Sequence, residues 1–299
     1  MNEQCIDIVD PHLHVWQLNT GKYYWLRPHN PPHWPEKSML QQVFLPADLA
    51  LQPPFRLLGA VHIEAGFDNQ QPEQELAWLS KQDWPCAYRS VAFLDCSAPL
   101  HQAEHKLQAL LPYRPAGVRH IFEGEDEWVL QRPELDTIAG WLEQHQLLLE
   151  VQCDLSKPAN WQRIAELAQQ QPKLQLVLNH AGLVTPERFS GWQQALRQLG
   201  QYPTIAMKLS GWEMQQAGVA SSFDSRWFQR VLSAALELLP TDRLMLASNF
   251  PLCLWQGSYQ QLWQRYFDHC LALGLSAEDW QQLSQHSASR CYGLSGAAI

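Results

Sequence analysis

The sequence predicts an α/β protein, a single (β/α)8 (TIM) barrel over residues 1–299, and three observations carry that reading. Eight short runs rich in Val, Ile and Leu recur along the chain, and seven are followed by an amphipathic stretch of helix length. The length suits an eight-unit barrel built as one domain. Titratable residues gather at the C-terminal ends of the runs, where such barrels keep their sites. An open doubly wound sheet is the alternative, but no Gly-x-Gly-x-x-Gly or Walker-type loop follows any run.

The first strand holds Ile6, Ile8 and Val9 and ends in Asp10, His12 and His14. Residues 17–54 follow as a long irregular segment rich in proline and aromatics, read as a cover over the C-terminal mouth. Strands are then expected at 57–64, 88–94, 117–121, 147–152, 174–180, 204–210 and 243–249. Helices are expected at 72–81, 99–111, 132–145, 158–170, 186–199, 225–239, 258–273 and 277–289. The helix at 158 opens on proline, which lacks only a hydrogen that a first turn leaves unpaired.

Composition narrows the partners. Twenty-one basic against thirty acidic side chains give a net charge of −9, and no Lys/Arg cluster stands out, which argues against nucleic acid. Seven scattered cysteines without a Cys-x-x-Cys pair read as reduced thiols of a cytoplasmic protein. No leader pattern opens the chain and no run of membrane-spanning length follows, so a small molecule is the expected partner.

By strand alternation Asp10, His12 and His14 share a face. Two imidazoles so placed chelate a divalent ion such as zinc or grip an anionic substrate. His180 ends the sixth strand in register with Leu174, Leu176 and Leu178, and is expected to converge on the first pair. Glu64, Glu150, Gln152, Arg119 and Lys208 stand near other strand ends. Arg119 suits a carboxylate because a guanidinium pairs with it bidentately. The plainer alternative is that Glu64 and Glu150 form buried salt bridges with Arg119 or Lys208. Trp16, Arg119, Gln152 and Lys208 are the candidate substrate contacts, and Cys153 and Cys253 are read as packing.

Asp10-Pro-His-Leu-His14-Val-Trp16, Asn179-His-Ala-Gly182, Lys208-Leu-Ser-Gly211 and Ser248-Asn-Phe-Pro251 together resemble the amidohydrolase-2 family. Within it they are most similar to the branch of sugar lactonases and 2-pyrone-4,6-dicarboxylate hydrolase. The resemblance implies a (β/α)8 barrel that hydrolyses lactones, amides or esters, or decarboxylates aromatic acids. It implies that His12, His14 and His180 hold one divalent metal, zinc, or in metal-free relatives the substrate itself. Asn249 stands where many members carry an aspartate that binds metal or acts as base. An amide cannot take a proton from water, so Glu64 or Glu150 becomes the expected base, or the metal requirement is relaxed. The expected activity is hydrolysis of a small lactone or related carbonyl compound. A decarboxylase or lyase of the same fold, and a non-catalytic binder, remain the alternatives.

Overall fold

A computed structural model describes residues 5–214 and 223–294; the opening residues 1–4 of the leader reading lie outside these. Eight strands run in chain order around one parallel sheet: β1 (Ile6–Leu13), β2 (Phe55–Ile63), β3 (Ala87–Phe93), β4 (Gly117–Ile121), β5 (Leu148–Gln152), β6 (Leu176–Leu178), β7 (Ile205–Leu209) and β8 (Leu244–Leu246). The seam between first and last strands is drawn together just beyond β8. There Asn249 N donates to His12 O at 2.8 Å and His14 N to Phe250 O at 2.7 Å. The expected (β/α)8 barrel is therefore the fold.

Helices α1 (Glu73–Leu79), α2 (Leu100–Leu110), α3 (Glu134–Gln144), α4 (Pro158–Gln170), α5 (Phe189–Leu199), α6 (Ser225–Leu238) and α7 (Tyr259–Ala272) pack outside the sheet. In α5, Phe189, Trp192, Ala195, Leu196 and Leu199 are buried, the three-and-four spacing of one helical stripe. Asp224 caps α6 by accepting from Trp227 N, and Ser258 caps α7 through Gln261 N. Among the described residues no helix is long and apolar enough to cross a membrane.

Inside the barrel, Val9, Val61, Ile63, Val91, Leu148, Val177, Ala206 and Met245 form a separate apolar layer. The end of the chain completes it. Helices α8 (Ala277–Gln281) and α9 (Ser287–Tyr292), joined by a π turn, bring Ala288, Tyr292 and Leu294 into this layer. The polar residues thus stand on an apolar floor.

Strands β6 and β8 are shorter than the sequence predicts. Past the strand ends, His180 and Asn249 both take left-handed backbone, with φ of 51° and 56°, so neither can run on as regular strand. In the segment 17–54, Trp16 and Phe44 exchange backbone hydrogen bonds of 2.7 and 2.9 Å. Trp34 lies edge-on to Trp25 and to Trp255.

Candidate active site

Strict alternation does not survive in β1. Its register against β2 shifts between Asp10 and Leu13, so the Asp10 carboxylate accepts from His12 N at 3.2 Å while the His12 ring is bound by Lys208 instead. Asp10 accepts from Ser248 N and from Tyr259 Oη of α7, away from the imidazoles. Burial pushes its carboxyl up to about 6 against those bonds.

His12, His14 and His180 do come together. The ring of His12 lies 5.1 Å from His14 and 4.5 Å from His180, centroid to centroid. His180 reaches this cluster through its left-handed turn, because Leu176 and Leu178, with which an ideal strand would align it, pack toward the helices. Gly211 allows the approach: at φ +77°, a Cβ there would sit 2.8 Å from the His180 side chain. Each ring is anchored at Nδ1, His14 against Ile63 O (2.8 Å), His180 against Ser210 Oγ (3.0 Å) and His12 against Lys208 Nζ (3.2 Å). Burial, aided by the charge of Arg119 on all three and of Lys208 on His12 and His180, holds the imidazoles well below their ordinary range. They are neutral at physiological pH.

The two expected carboxylates sit in ion pairs. Arg119 Nε and Nη2 donate to Glu64 Oε1 at 2.9 and 2.6 Å, and Nη1 reaches Gln152 Oε1 at 3.4 Å. Gln152 then donates to Glu123 at 2.6 Å, which extends the chain toward the mouth. Deeper in the barrel, Lys208 donates to both Glu150 oxygens at 2.7 and 2.8 Å, and Tyr292 Oη donates to the same carboxylate at 2.7 Å. Burial draws the Lys208 ammonium down to about 8, against the opposing pull of Glu150. Trp16 is wholly buried under the segment 17–54, its Nε1 donating to Gln42 O, which places it in the core.

Asn249 is engaged by a residue that the sequence reading passed over. Its Nδ2 donates to Glu213 Oε1 at 2.5 Å. Glu213 is 7% exposed, and burial pushes its carboxyl up to about 7. It is tied to the histidine cluster through Asn249, whose N donates to His12 O, and it follows Gly211, which approaches His180, by two residues. The available signal was a lone carboxylate two residues past Gly211, in the Trp-Glu-Met stretch that follows β7.

Above this layer opens a cavity of about 390 Å³, lined by Trp34, Phe122, Glu123, Glu127, Asp154, Lys157, Arg188 and the strand-end residues Gln152 and Gly211. Lys157 pairs with Glu127 and Arg188 with Asp154. Neutral imidazoles, a carboxyl poised near neutrality and a polar mouth at the C-terminal end of a barrel define a small-molecule enzyme.

The family is settled by the match of the amidohydrolase profile to residues 9–294, and the chain belongs to that family. It is a hydrolase of the amidohydrolase type. An L-fucono-1,5-lactonase of Burkholderia multivorans is 26% identical, the alignment covering 96% of each chain. An amidohydrolase of Burkholderia multivorans solved with zinc bound superposes with a TM-score of 0.76 at 22% identity, over 96% of this chain and 99% of that one. A probable 2-pyrone-4,6-dicarboxylic acid hydrolase of Acinetobacter baumannii, solved with citric acid, gives a TM-score of 0.70 at 14% identity, over 96% and 100%.

Zinc is a common companion of this family, and the donors present here do not fit it. An ammonium has three N–H bonds and no lone pair, so every contact of Lys208 is a donation. His12 Nδ1 is therefore an acceptor, and the neutral ring carries its proton on Nε2, which is buried without a partner. A metal needs a lone pair at that atom. The charged groups that act on the imidazoles are cations, and among the described residues no three His, Cys, Asp or Glu side chains are arranged to hold a metal ion.

Proposed function

We propose that the protein hydrolyses a small, neutral, hydroxyl-rich lactone without routing the reaction through a metal. One observation supports the substrate class most strongly: the lysine and arginine that line the mouth cavity are already paired with carboxylates. Arg119 beneath it is likewise committed to Glu64. A carboxylate-bearing substrate would have to break one of these pairs. Sugar hydroxyls, by contrast, donate readily to Glu123 and Asp154 while the ring lies against Trp34 or Phe122. The name of the Burkholderia relative points the same way, which makes a 1,5-lactone of a deoxy sugar the first compound to test.

In this reading Glu213 accepts the proton of the attacking water, since a general base works best with a pKa near the working pH. Neutral His14 and His180 orient the substrate. Glu64 and Glu150 hold Arg119 and Lys208 in place, and Lys208 in turn fixes His12 as an Nε2–H donor. The protein acts as one domain in the cytosol, a reading supported by the family match over 9–294 and by seven free thiols. The test is turnover of a panel of neutral sugar lactones and of dicarboxylate lactones, with and without chelator. Hydrolysis of the neutral set that survives chelation is expected; preference for the anionic set, or activity lost on chelation and restored by zinc, would overturn the reading.

A further inference from the structure

Asn179 carries an anomaly that none of the roles above absorbs. Its backbone is fully satisfied, with N donating to Val151 O at 2.9 Å and O accepting from Gly182 N at 2.8 Å. Its side chain is completely buried, yet neither Nδ2 nor Oδ1 has a hydrogen-bond partner. A primary amide offers two donors and two acceptor lone pairs, and buried polar groups in folded proteins are almost always paired. Such a group persists where something outside the chain completes it.

The placement says where that something sits. Val177 belongs to the inner layer, and the backbone stays extended through Asn179, so Asn179 also faces the barrel interior. Leu178 pairs with Val151 on one side and Met207 on the other. One step further on, Asn179 is therefore flanked by Gln152 and Lys208. Lys208 Nζ contacts His12 Nδ1, and the His12 ring lies against that of His180, the residue that follows Asn179. Among the described residues, His12 Nε2 is likewise buried without a partner. The two unpartnered groups are thus linked through Lys208 and His180.

We infer that Asn179 is a catalytic residue that binds the reacting carbonyl oxygen together with His12; the inference rests on the lactonase reading above. Water oxygen bonds to the carbonyl carbon, its proton passes to Glu213, and the carbonyl π pair moves onto oxygen. Asn179 Nδ2–H and His12 Nε2–H hold that oxyanion. When the pair returns, the ring C–O bond breaks and the departing oxygen takes the proton back from Glu213. Asn179 Oδ1 is left to accept from a neighbouring substrate hydroxyl.

The experiment compares wild type and Asn179→Ala in three measurements: turnover of the sugar lactones, binding of a six-membered sugar lactam by calorimetry, and thermal unfolding without ligand. Loss of one oxyanion donor should lower kcat about 100-fold or more with KM within threefold. The lactam, which presents the same carbonyl but is not hydrolysed, should bind at least tenfold more weakly. Because the amide has no internal partner, the variant should melt at or above the wild-type temperature; a clear fall would assign Asn179 a structural role and overturn the inference. Unchanged kcat or equal lactam binding would also overturn it. If wild type hydrolyses no lactone, the lactonase reading fails, and the lactam then decides on Asn179 alone: wild-type binding that the variant weakens supports the carbonyl contact, and no binding to either refutes it.

Discussion

Replacing Glu213 with glutamine tests the site through stability and rate together. Burial holds this carboxyl at about 7 in the fold, against an ordinary value of 4.5. The native protein therefore binds more protons than the unfolded chain between those limits. Unfolding free energy falls as pH rises through that window, and the whole cost is present above 7. At about 1.4 kcal/mol per pH unit the gap corresponds to about 3 kcal/mol. Glutamine has the same shape and no charge, and its carbonyl can still accept from Asn249 Nδ2. Glu213→Gln should thus lie within about 1 kcal/mol of wild type at pH 5 and exceed it at pH 8 by about 3 kcal/mol, roughly 6 °C in Tm for a chain of this size. As the proposed base, the same variant should lose about 10²–10⁴ in kcat, together with the limb of the pH–rate profile near 7. The assays are thermal unfolding at both pH values and kcat from pH 5 to 9. A stability difference that is the same at pH 5 and pH 8 would show that Glu213 does not titrate as argued, and an unchanged kcat would remove it as base.

Gly211→Ala should displace the His180 ring, which a Cβ would meet at 2.8 Å, and lower kcat at least tenfold; full activity would show that the backbone gives way instead. Lys208→Met leaves Glu150 with Tyr292 as its remaining partner and should cost about 3–5 kcal/mol in thermal unfolding, much of it recovered by adding Glu150→Gln. It also frees His12 Nδ1 to carry the ring proton, so elemental analysis should find more zinc than in wild type; equal zinc contents would sink the tautomer argument. Trp34→Ala, at the mouth cavity, should raise KM about tenfold and leave kcat nearly unchanged, and the reverse pattern would place Trp34 in the chemistry.

By itself the sequence determined the barrel, because a parallel strand buried on both faces must be continuously apolar and its crossover helix must carry one apolar stripe. Those signals are local, and all eight strands lie where they were expected. The same locality made the histidines, Arg119, Lys208 and both glutamates visible as strand-end residues. Which atoms they turn toward was decided only in three dimensions. A register shift in β1 sends Asp10 to Tyr259 and His12 inward, and left-handed backbone at His180 swings the imidazole off the face that periodicity assigns it. Neither departure leaves a mark in hydrophobic spacing. The ion pairs of Glu64 and Glu150 depend on strands that meet only when the sheet curls, and Tyr292 reaches Glu150 across 142 residues. Glu213 and Asn179 were hidden for a related reason: one stands in a loop with no period, the other looks like any polar residue closing a strand. Desolvation sets the first near neutrality and strips the second of partners, and desolvation belongs to the packed barrel rather than to any stretch of chain.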